Sequence, residues 1–353
     1  MKNLYKKITV EEALNMDNSI FIDVRSPLEF MEGSIPDAIN IPILNNEERI
    51  DVGTTYKQNS PTEAKVKGIE YVSSKLPNIY NEILLLSKNY KNIVIFCWRG
   101  GLRSGVISNL LGSLGMNIFQ LQGGYKEYRK QVVKYFDENQ SNHSFIVLHG
   151  YTGVGKTEIL EKLEEINIPT LNLELIVKNS GSVFGTMAYQ NEKPVTQKMF
   201  DSIVFDILRK TNSKYIVIES EGQRLGRVTL PESLFQSILK GKQILINTSM
   251  ENRIERLVRD YVNNISDNDD LLENAILNLK KRIGLERVNQ YLDWIKEKSY
   301  DKIARELIIE YYDPLYLHSM KNYNYMMEIN YNNIEDAVEE IVKLYYSLEN
   351  KSV

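Results

Sequence analysis

Two short runs of apolar residues each end in a glycine-rich loop, and this repeated pattern most constrains the fold of the chain. The first run, Ile93–Phe96, leads into Cys97 and a pair of glycines, and the second, Phe145–Leu148, leads towards Gly150. Such runs, alternating with segments of helical periodicity, predict parallel strands covered by helices. We therefore expect two α/β units, in line with roughly 150 residues per domain in a chain of 353 residues.

The predicted elements divide the chain into two halves. Strands are predicted at Ile20–Val24, Ile39–Pro42, Ile93–Phe96, Ile118–Leu121, Phe145–Leu148, Tyr215–Ile218, Gln243–Ile246 and Tyr325–Ile329. The polar segment Asn45–Pro61 is expected to be irregular, and Ala64–Lys88 mostly helical. The polar linker Asp137–Ser144 gives a first domain at residues 1–137 and a second at residues 144–353, which has helical spacing beyond about residue 250.

Composition excludes a mainly disordered chain, a collagen-like chain and a small disulfide-stapled scaffold. Hydrophobic residues make up 42% of the chain and charged residues 25%, as in ordinary globular proteins. The lone cysteine cannot form an intrachain disulfide, and three histidines with one cysteine predict no structural zinc site. The start lacks the apolar run of a signal peptide, so we expect a cytoplasmic protein without a membrane partner. His149 is expected to be structural.

The loop after Ile93–Phe96 predicts a reactive thiol at Cys97, with a helix beginning near Arg103. Backbone N–H groups of such a loop, together with the positive end of a helix, bind anions and favour the nucleophilic thiolate. A buried, inert cysteine is the alternative. With Cys97 as the catalytic residue, the predicted anion loop consists of Trp98, Arg99, Gly100, Gly101, Arg103 and Ser104.

The segment from Gly150 to Thr157 fits the pattern G-x-x-x-x-G-K-[ST] at every position, between a predicted strand and a predicted helix. Backbone N–H groups of such a P-loop cradle phosphates, its lysine reaches the outer phosphates, and its hydroxyl can bind Mg²⁺. The residues predicted to bind a diphosphate are Gly150, Gly153, Gly155, Lys156 and Thr157. Candidate magnesium or substrate contacts are Glu219, Glu221 and Arg224; no metal ligand set is assigned.

The first half resembles rhodanese-like sulfurtransferase domains. Ile22–Pro42 is similar to their opening motif, Ile95–Ser104 to their active-site loop, and Leu121–Tyr125 to their closing strand and turn. Five residues separate Cys97 from Arg103, one more than in simple rhodanese loops and the same spacing as in Cys-dependent phosphatases. Phosphatase chemistry therefore stays open as an alternative.

A rhodanese-like half followed by a P-loop half resembles the tRNA 2-selenouridine synthases over nearly the whole chain. The segments that carry this resemblance, besides the two loops, are Asn46–Gly68, Gly181–Gly185 and Glu219–Pro231. Members of this family commonly have His-Arg before the segment that begins at Gly181, whereas this chain has Asn179 and Ser180. A substrate contact made by that pair would be altered here.

The resemblance implies a transferase that acts on the wobble uridine of certain tRNAs. The sulfur of 2-thiouridine is first alkylated with geranyl diphosphate, and the S-geranyl group is then displaced using selenophosphate to give 2-selenouridine. It implies that the P-loop holds the diphosphate and that the Cys97 loop holds selenophosphate. No tightly bound cofactor is expected, and magnesium is a candidate companion of the diphosphate.

A tRNA partner requires local basic surfaces, because the formal net charge of the chain is −4. Three groups have helical spacing or cluster in sequence: Lys126, Arg129, Lys130 and Lys134; Arg253, Arg256 and Arg259; Lys280, Lys281, Arg282 and Arg287. Each group is also compatible with an ordinary solvated helix face. The alternatives to the transferase are an NTP-dependent kinase or ATPase with a rhodanese sulfurtransferase domain, a Cys-dependent phosphatase, and a non-catalytic binding module.

Overall fold

A computed structural model describes residues 5–138, 142–178, 193–263 and 269–351. The chain forms two compact units, Met1–Glu138 with Asp201–Asp206, and Asn139–Phe200 with Ile207–Val353. Each unit contains one five-stranded sheet whose strand pairs are all parallel. The predicted α/β class is therefore confirmed in both halves. Among the described residues, no helix combines the length and the apolar character that crossing a membrane requires.

The first sheet has the strand order β1-β5-β4-β2-β3. Its strands are β1 (Lys6–Ile8), β2 (Ser19–Asp23), β3 (Ile39–Asn40), β4 (Asn92–Phe96) and β5 (Ile118–Leu121). β4 lies at the centre, and its residues Ile93–Phe96 are buried on both faces. Cys97 therefore leaves the carboxyl edge from the most buried strand of this unit.

Seven helices surround the first sheet in the described residues. They are α1 (Val10–Leu14), α2 (Pro27–Glu32), α3 (Asn46–Gln58), α4 (Pro61–Ser73), α5 (Leu76–Leu86), α6 (Leu102–Ser113) and α7 (Gly124–Asp137). The expectation of an irregular Asn45–Pro61 is wrong, because this segment forms α3. Asn45 caps α3 by accepting from the Glu48 N–H, and the Glu48 carboxylate accepts from the Asn45 N–H.

The second sheet has the strand order β12-β11-β6-β8-β7, so the strand before the P-loop is central. Its strands are β6 (Ser144–His149), β7 (Thr170–Leu171), β8 (Tyr215–Glu219), β11 (Lys242–Thr248) and β12 (Met327–Tyr331). A separate antiparallel ribbon consists of β9 (Arg224–Leu225) and β10 (Val228–Thr229). The four strands predicted for this half match four of the five, and β7 was not predicted.

The helices of the second unit flank this sheet and form most of the chain beyond β11. They are α8 (Lys156–Glu165), α9 (Leu173–Val177), α10 (Gln197–Lys210), α11 (Glu232–Leu239), α12 (Met250–Val258), α13 (Asp269–Asn278), α14 (Lys280–Ile283), α15 (Leu285–Lys296), α16 (Tyr300–Leu307), α17 (Asp313–Met320) and α18 (Ile334–Asn350). π-Helical turns follow α12 at Arg259–Asn263 and α16 at Ile308–Tyr312. Tyr291 is fully buried and stacks on Trp294, so this pair belongs to the core.

A buried ion pair fixes the end of β2 beneath the Cys97 loop. Arg25 and Asp23 are almost completely inaccessible, and the Arg25 Nη2 donates to Asp23 Oδ2 at 2.6 Å. Ser34 Oγ donates to the same carboxylate at 2.8 Å. The Arg25 guanidinium carbon also lies 4.1 Å from the ring centroid of Tyr125 on α7. This side chain therefore links β2 to the helix on which the loop rests.

We expect Asp23→Ala to destabilise the first unit by about 3–5 kcal/mol, because the variant leaves the Arg25 guanidinium buried without its counter-charge. Urea unfolding followed by the fluorescence of Trp98, in a Trp294→Phe background, measures this change in the first unit alone. Glu127→Ala is the matched control, since its ion pair with Lys130 is exposed and contributes less than about 1 kcal/mol. Equal losses of unfolding free energy in Asp23→Ala and Glu127→Ala would contradict the conclusion that the buried pair stabilises the first unit.

Candidate functional site

Cys97 lies at the carboxyl end of β4, where the central strand passes into a tight loop. The side chain is 3% exposed and packs against the core of the first unit. Its Sγ lies 3.3 Å from the Oγ of buried Ser104, in the first turn of α6. The predicted strand, loop and helix start are thus all present, and they bring Cys97 and Ser104 into contact.

The loop is anchored by its carbonyl groups. The N–H groups of Tyr125 and Lys126, at the start of α7, donate to the carbonyls of Cys97 and Trp98 at 2.9 Å. The Gln120 Nε2 donates to the carbonyls of Gly100 and Gly101 at 3.0 and 3.2 Å. Anions are bound by N–H groups, whereas these bonds engage the carbonyl groups of the loop. The anchoring therefore does not compete with an anion.

Gln120 is a candidate site residue that was not predicted from the sequence. It lies on β5, is 3% exposed, and donates from Nε2 to Ser104 Oγ at 2.9 Å. With Gln120 as its donor, the Ser104 hydroxyl keeps its own proton for the Cys97 sulfur or for the Gly101 carbonyl. The signal available in the sequence was a polar residue inside an otherwise apolar predicted strand, Ile118–Leu121.

The two arginines of the loop differ in their surroundings. The Arg103 guanidinium donates to both carboxylate oxygens of Glu29, at 2.6 and 3.1 Å. Although burial of Glu29 opposes ionisation, the bonds from Arg103 hold the pKa of this carboxyl below its usual value. Arg99 is exposed. The charge of Arg103 is therefore already engaged by a carboxylate.

The P-loop connects β6 to α8, as predicted, with Gly150, Gly153 and Gly155 at its turns. The Lys156 ammonium donates to the Gly150 carbonyl at 3.0 Å across the loop. The Thr157 hydroxyl, at the first turn of α8, donates to Glu174 Oε2 at 2.9 Å. The lysine thus bonds within the loop, whereas the hydroxyl bonds to a carboxylate outside it.

Buried carboxylates lie beside Lys156 and Thr157. Glu219 at the end of β8 is fully buried, its Oε1 accepts from the Glu174 N–H at 2.8 Å, and its Oε2 is buried without a hydrogen-bond partner. Burial raises the pKa of Glu174 and raises that of Glu219 well above its usual value. Burial and the neighbouring Glu174 charge raise the pKa of Glu221 to about 7.

The structure places the predicted contacts Glu219 and Glu221 at the P-loop and adds Glu174, which the sequence analysis did not select. Arg224 is exposed on β9, where its Nε donates to the Gly226 carbonyl at 3.3 Å. None of the described His, Cys, Asp and Glu side chains forms a group of three arranged to hold a metal ion. Gly181–Gly185, with Asn179 and Ser180 before it, lies outside the described residues.

The arginines of α12 support the P-loop and do not form an exposed basic face. Arg253 is 6% exposed, donates to the Thr152 carbonyl at 2.8 Å, and forms an ion pair with Asp313. Arg256 is 9% exposed and bonds to Glu158 at 3.0 Å. The interpretation of this group as an RNA-binding face is therefore wrong for these two residues, because both are buried against the loop.

The other two basic groups contain exposed members. Lys126, Lys130 and Lys134 are exposed on α7, whereas Arg129 bonds to Asp201 of the same compact unit at 2.9 Å. In the α14 region Lys280, Lys281 and Arg282 are exposed. Arg287 pairs with Glu310 at 2.9 Å. On α7, Lys130 and Lys134 pair with Glu127 and Glu138, which partly neutralises that face.

A thiol loop and a P-loop, each at the carboxyl edge of its own parallel sheet, define an α/β protein of two units with two candidate anion-binding loops. Comparison with protein families agrees with this class. A rhodanese-like domain matches residues 8–131, and the AAA domain of tRNA 2-selenouridine synthase matches residues 143–346. The second match covers more than half of the chain.

Related proteins extend the comparison. The chain is 34% identical over 255 residues to the tRNA 2-selenouridine synthase of Nitrosomonas eutropha, covering 71% of this chain and 65% of that protein. It is 30% identical over 332 residues to that of Pseudomonas putida, covering 86% and 88%. The crystal structure of the N-terminal domain of a Clostridium difficile 630 protein is 52% identical, with a TM-score of 0.35, covering 36% and 98%. The chain belongs to the tRNA 2-selenouridine synthase family.

We expect Gly124→Ala to disrupt the Cys97 loop. A Cβ at position 124 would lie 2.1 Å from the Cys97 carbonyl oxygen, and the backbone there has a φ of +57°. Gly115→Ala is the matched control, since its φ is +87° and a Cβ would meet nothing within 4 Å. Thermal unfolding should show only the cost of positive φ, about 1 kcal/mol, for Gly115→Ala and a clearly larger loss for Gly124→Ala. Indistinguishable melting of the two variants would contradict the close approach.

Proposed function

We propose that the protein is a tRNA-modifying transferase that converts wobble 2-thiouridine to 2-selenouridine through an S-geranyl intermediate. Family membership supports the overall reaction, and the two loops support its two donors. The single observation that carries the proposal is the presence, in one chain, of Cys97 in an anchored anion loop and of an intact P-loop. Each loop suits one anionic donor, selenophosphate or a prenyl diphosphate.

In the first proposed step, the sulfur of 2-thiouridine attacks C1 of geranyl diphosphate, the C1–O bond breaks, and diphosphate leaves. The P-loop amides and Lys156 would bind the diphosphate and stabilise its developing charge. Lys156 uses one N–H donor for the Gly150 carbonyl and has two more for phosphate oxygens. Burial raises the pKa of the Glu219 carboxyl well above its usual value, and a cation bound beside it would favour its ionised form.

The surroundings of Thr157 also fit a magnesium ion that accompanies the diphosphate. A P-loop magnesium takes a hydroxyl and few carboxylates from the protein and the remaining ligands from phosphates and water. Thr157 and the carboxylates of Glu174 and Glu219, one of whose oxygens is buried without a partner, supply that donor set. When bound, magnesium would offset the charge of the leaving diphosphate.

In the second proposed step, the selenium of selenophosphate attacks C2 of the modified uridine, and the C2–S bond breaks to release geranylthiol. Water then cleaves the Se–P bond, so that phosphate leaves and 2-selenouridine remains. Alkylation makes the sulfur a better leaving group than the original thiocarbonyl sulfur. Cys97 directs the attack of selenophosphate on C2 and remains a thiol or thiolate throughout, because selenide-level selenium forms no perselenide without an oxidant. The Ser104 hydroxyl, 3.3 Å from the Cys97 sulfur, can donate a hydrogen bond to its anionic form.

We expect Cys97→Ser to abolish formation of 2-selenouridine while S-geranylation of the same tRNA continues, because only the second step needs the thiol. Purified variant is incubated with thiolated tRNA, geranyl diphosphate and selenophosphate, and the nucleosides are analysed by mass spectrometry. Retained geranylation serves as the internal control for folding and tRNA binding. Undiminished 2-selenouridine in this variant would remove Cys97 from the mechanism.

We expect Lys156→Ala to slow S-geranylation by about 10- to 100-fold, the effect of losing one charge-assisted bond to a phosphate. Lys162→Ala is the matched control on the same helix, since Lys162 forms a partly exposed pair with Glu335. Geranylation rates at saturating tRNA measure the difference. An unchanged rate in Lys156→Ala would refute the diphosphate site, and Lys156-dependent ATP hydrolysis without RNA would favour the kinase or ATPase alternative.

A further inference from the structure

A cavity of about 410 Å³ opens beside the P-loop in the second unit. Its aromatic and apolar walls are formed by Tyr151, Leu245, Leu317, Met320, Tyr323 and Tyr325. Asn247 and Lys321 add polar groups to the lining. A volume of this size is typical of sites that bury most of a small organic ligand. None of these side chains was among the site residues predicted from the sequence.

The aromatic wall of the cavity is held in place by His149, the residue directly before the P-loop. The His149 ring centroid lies 4.3 Å from that of Tyr323 and 5.4 Å from that of Tyr325. Its Nε2 is hydrogen-bonded to Gln243 Oε1 at 2.5 Å, and the Tyr325 hydroxyl donates to the Met320 carbonyl at 2.9 Å. Preorganised walls reduce the entropic cost of binding an apolar group.

Tyr151 connects the cavity to the phosphate cradle. Its backbone is the second residue of the P-loop, and its ring lines the cavity. The Arg253 guanidinium carbon lies 5.2 Å from the centroid of this ring, and Arg253 Nε donates to the carbonyl of the next residue, Thr152. A ligand with a diphosphate in the loop and an apolar tail bonded to it can therefore occupy both places at once.

Most of the lining suits a hydrocarbon. Of its two polar side chains outside the tyrosines, Asn247 already donates from Nδ2 to Glu328 Oε1 at 2.7 Å, and Lys321 adds one positive charge. Burial holds the pKa of His149 below its usual value, so the ring behind the tyrosines is neutral at physiological pH. The remaining surface consists mostly of tyrosine rings and the side chains of Leu245, Leu317 and Met320.

We propose that this cavity is the subsite for the isoprenoid tail of the diphosphate substrate and that it sets the preferred chain length. The inference rests on the proposed function, since it takes a prenyl diphosphate as the ligand of the P-loop. The tail lies against Tyr151, Tyr323 and Tyr325 while the diphosphate lies in the cradle. Each buried methylene then strengthens binding until the cavity is filled.

The test compares Leu317→Trp, which fills the cavity, with Leu315→Trp, which adds the same bulk on the same helix outside the lining. Binding of inorganic pyrophosphate and of dimethylallyl, geranyl and farnesyl diphosphates is measured by calorimetry on the full chain. We expect Leu317→Trp to weaken geranyl diphosphate about tenfold, the loss of one or two buried methylenes, with pyrophosphate affinity unchanged. Leu315→Trp should match the unsubstituted chain for every ligand.

A second variant tests whether a larger cavity favours a longer isoprenoid tail. Tyr323→Ala enlarges the cavity, and we expect the ratio of farnesyl to geranyl transfer to rise relative to the unsubstituted chain. Unchanged ratios in both Leu317→Trp and Tyr323→Ala, with normal geranyl transfer, would overturn the tail subsite and leave the proposed function intact. An unsubstituted chain that binds geranyl diphosphate no better than pyrophosphate and transfers no geranyl group would overturn both.

Discussion

Both loops depend on the close approach of two backbone segments at the carboxyl edge of a parallel sheet. At Gly124 the start of α7 lies so near the Cys97 carbonyl that a Cβ would be 2.1 Å from it. At Gly150 a Cβ would be 2.6 Å from the Ile246 carbonyl of β11. Parallel strands bring their ends to one edge, and only glycine lets neighbouring segments meet there without a side chain between them.

Local patterns explain why so much of the fold could be predicted. The apolar runs that became β4, β6 and β8 are buried on both faces, so they read as continuous hydrophobic segments. The P-loop and the Cys97 loop follow such strands directly, and their glycine spacing is visible in the sequence. The error at α3 has a local cause as well, because its sequence is polar and only Thr55 is buried. The capping pair Asn45 and Glu48 was the feature of the sequence that indicated a helix start here.

The parts of the site that could not be predicted all depend on partners distant in the chain. Glu174 becomes a site residue only because the fold places it against Thr157 and Glu219, 17 and 45 residues away. Arg253 has the spacing of an exposed face, yet it bonds to the Thr152 carbonyl across 101 residues. Helical periodicity shows which residues lie on one face of a helix, but it does not show which other elements pack against that face. A charged residue that is buried by pairing with a distant partner is therefore predicted, from the sequence alone, to be solvent-exposed.

The bond between the Lys156 ammonium and the Gly150 carbonyl has a consequence for ion selectivity. That bond uses one of the three N–H donors of the ammonium, so it fixes the side chain across the loop and leaves two donors for an anion. A singly charged ion such as chloride offers one acceptor atom to these donors, whereas a diphosphate presents several oxygens to the ammonium and the amides together. The loop therefore discriminates between anions by the number of acceptor atoms that they present at once.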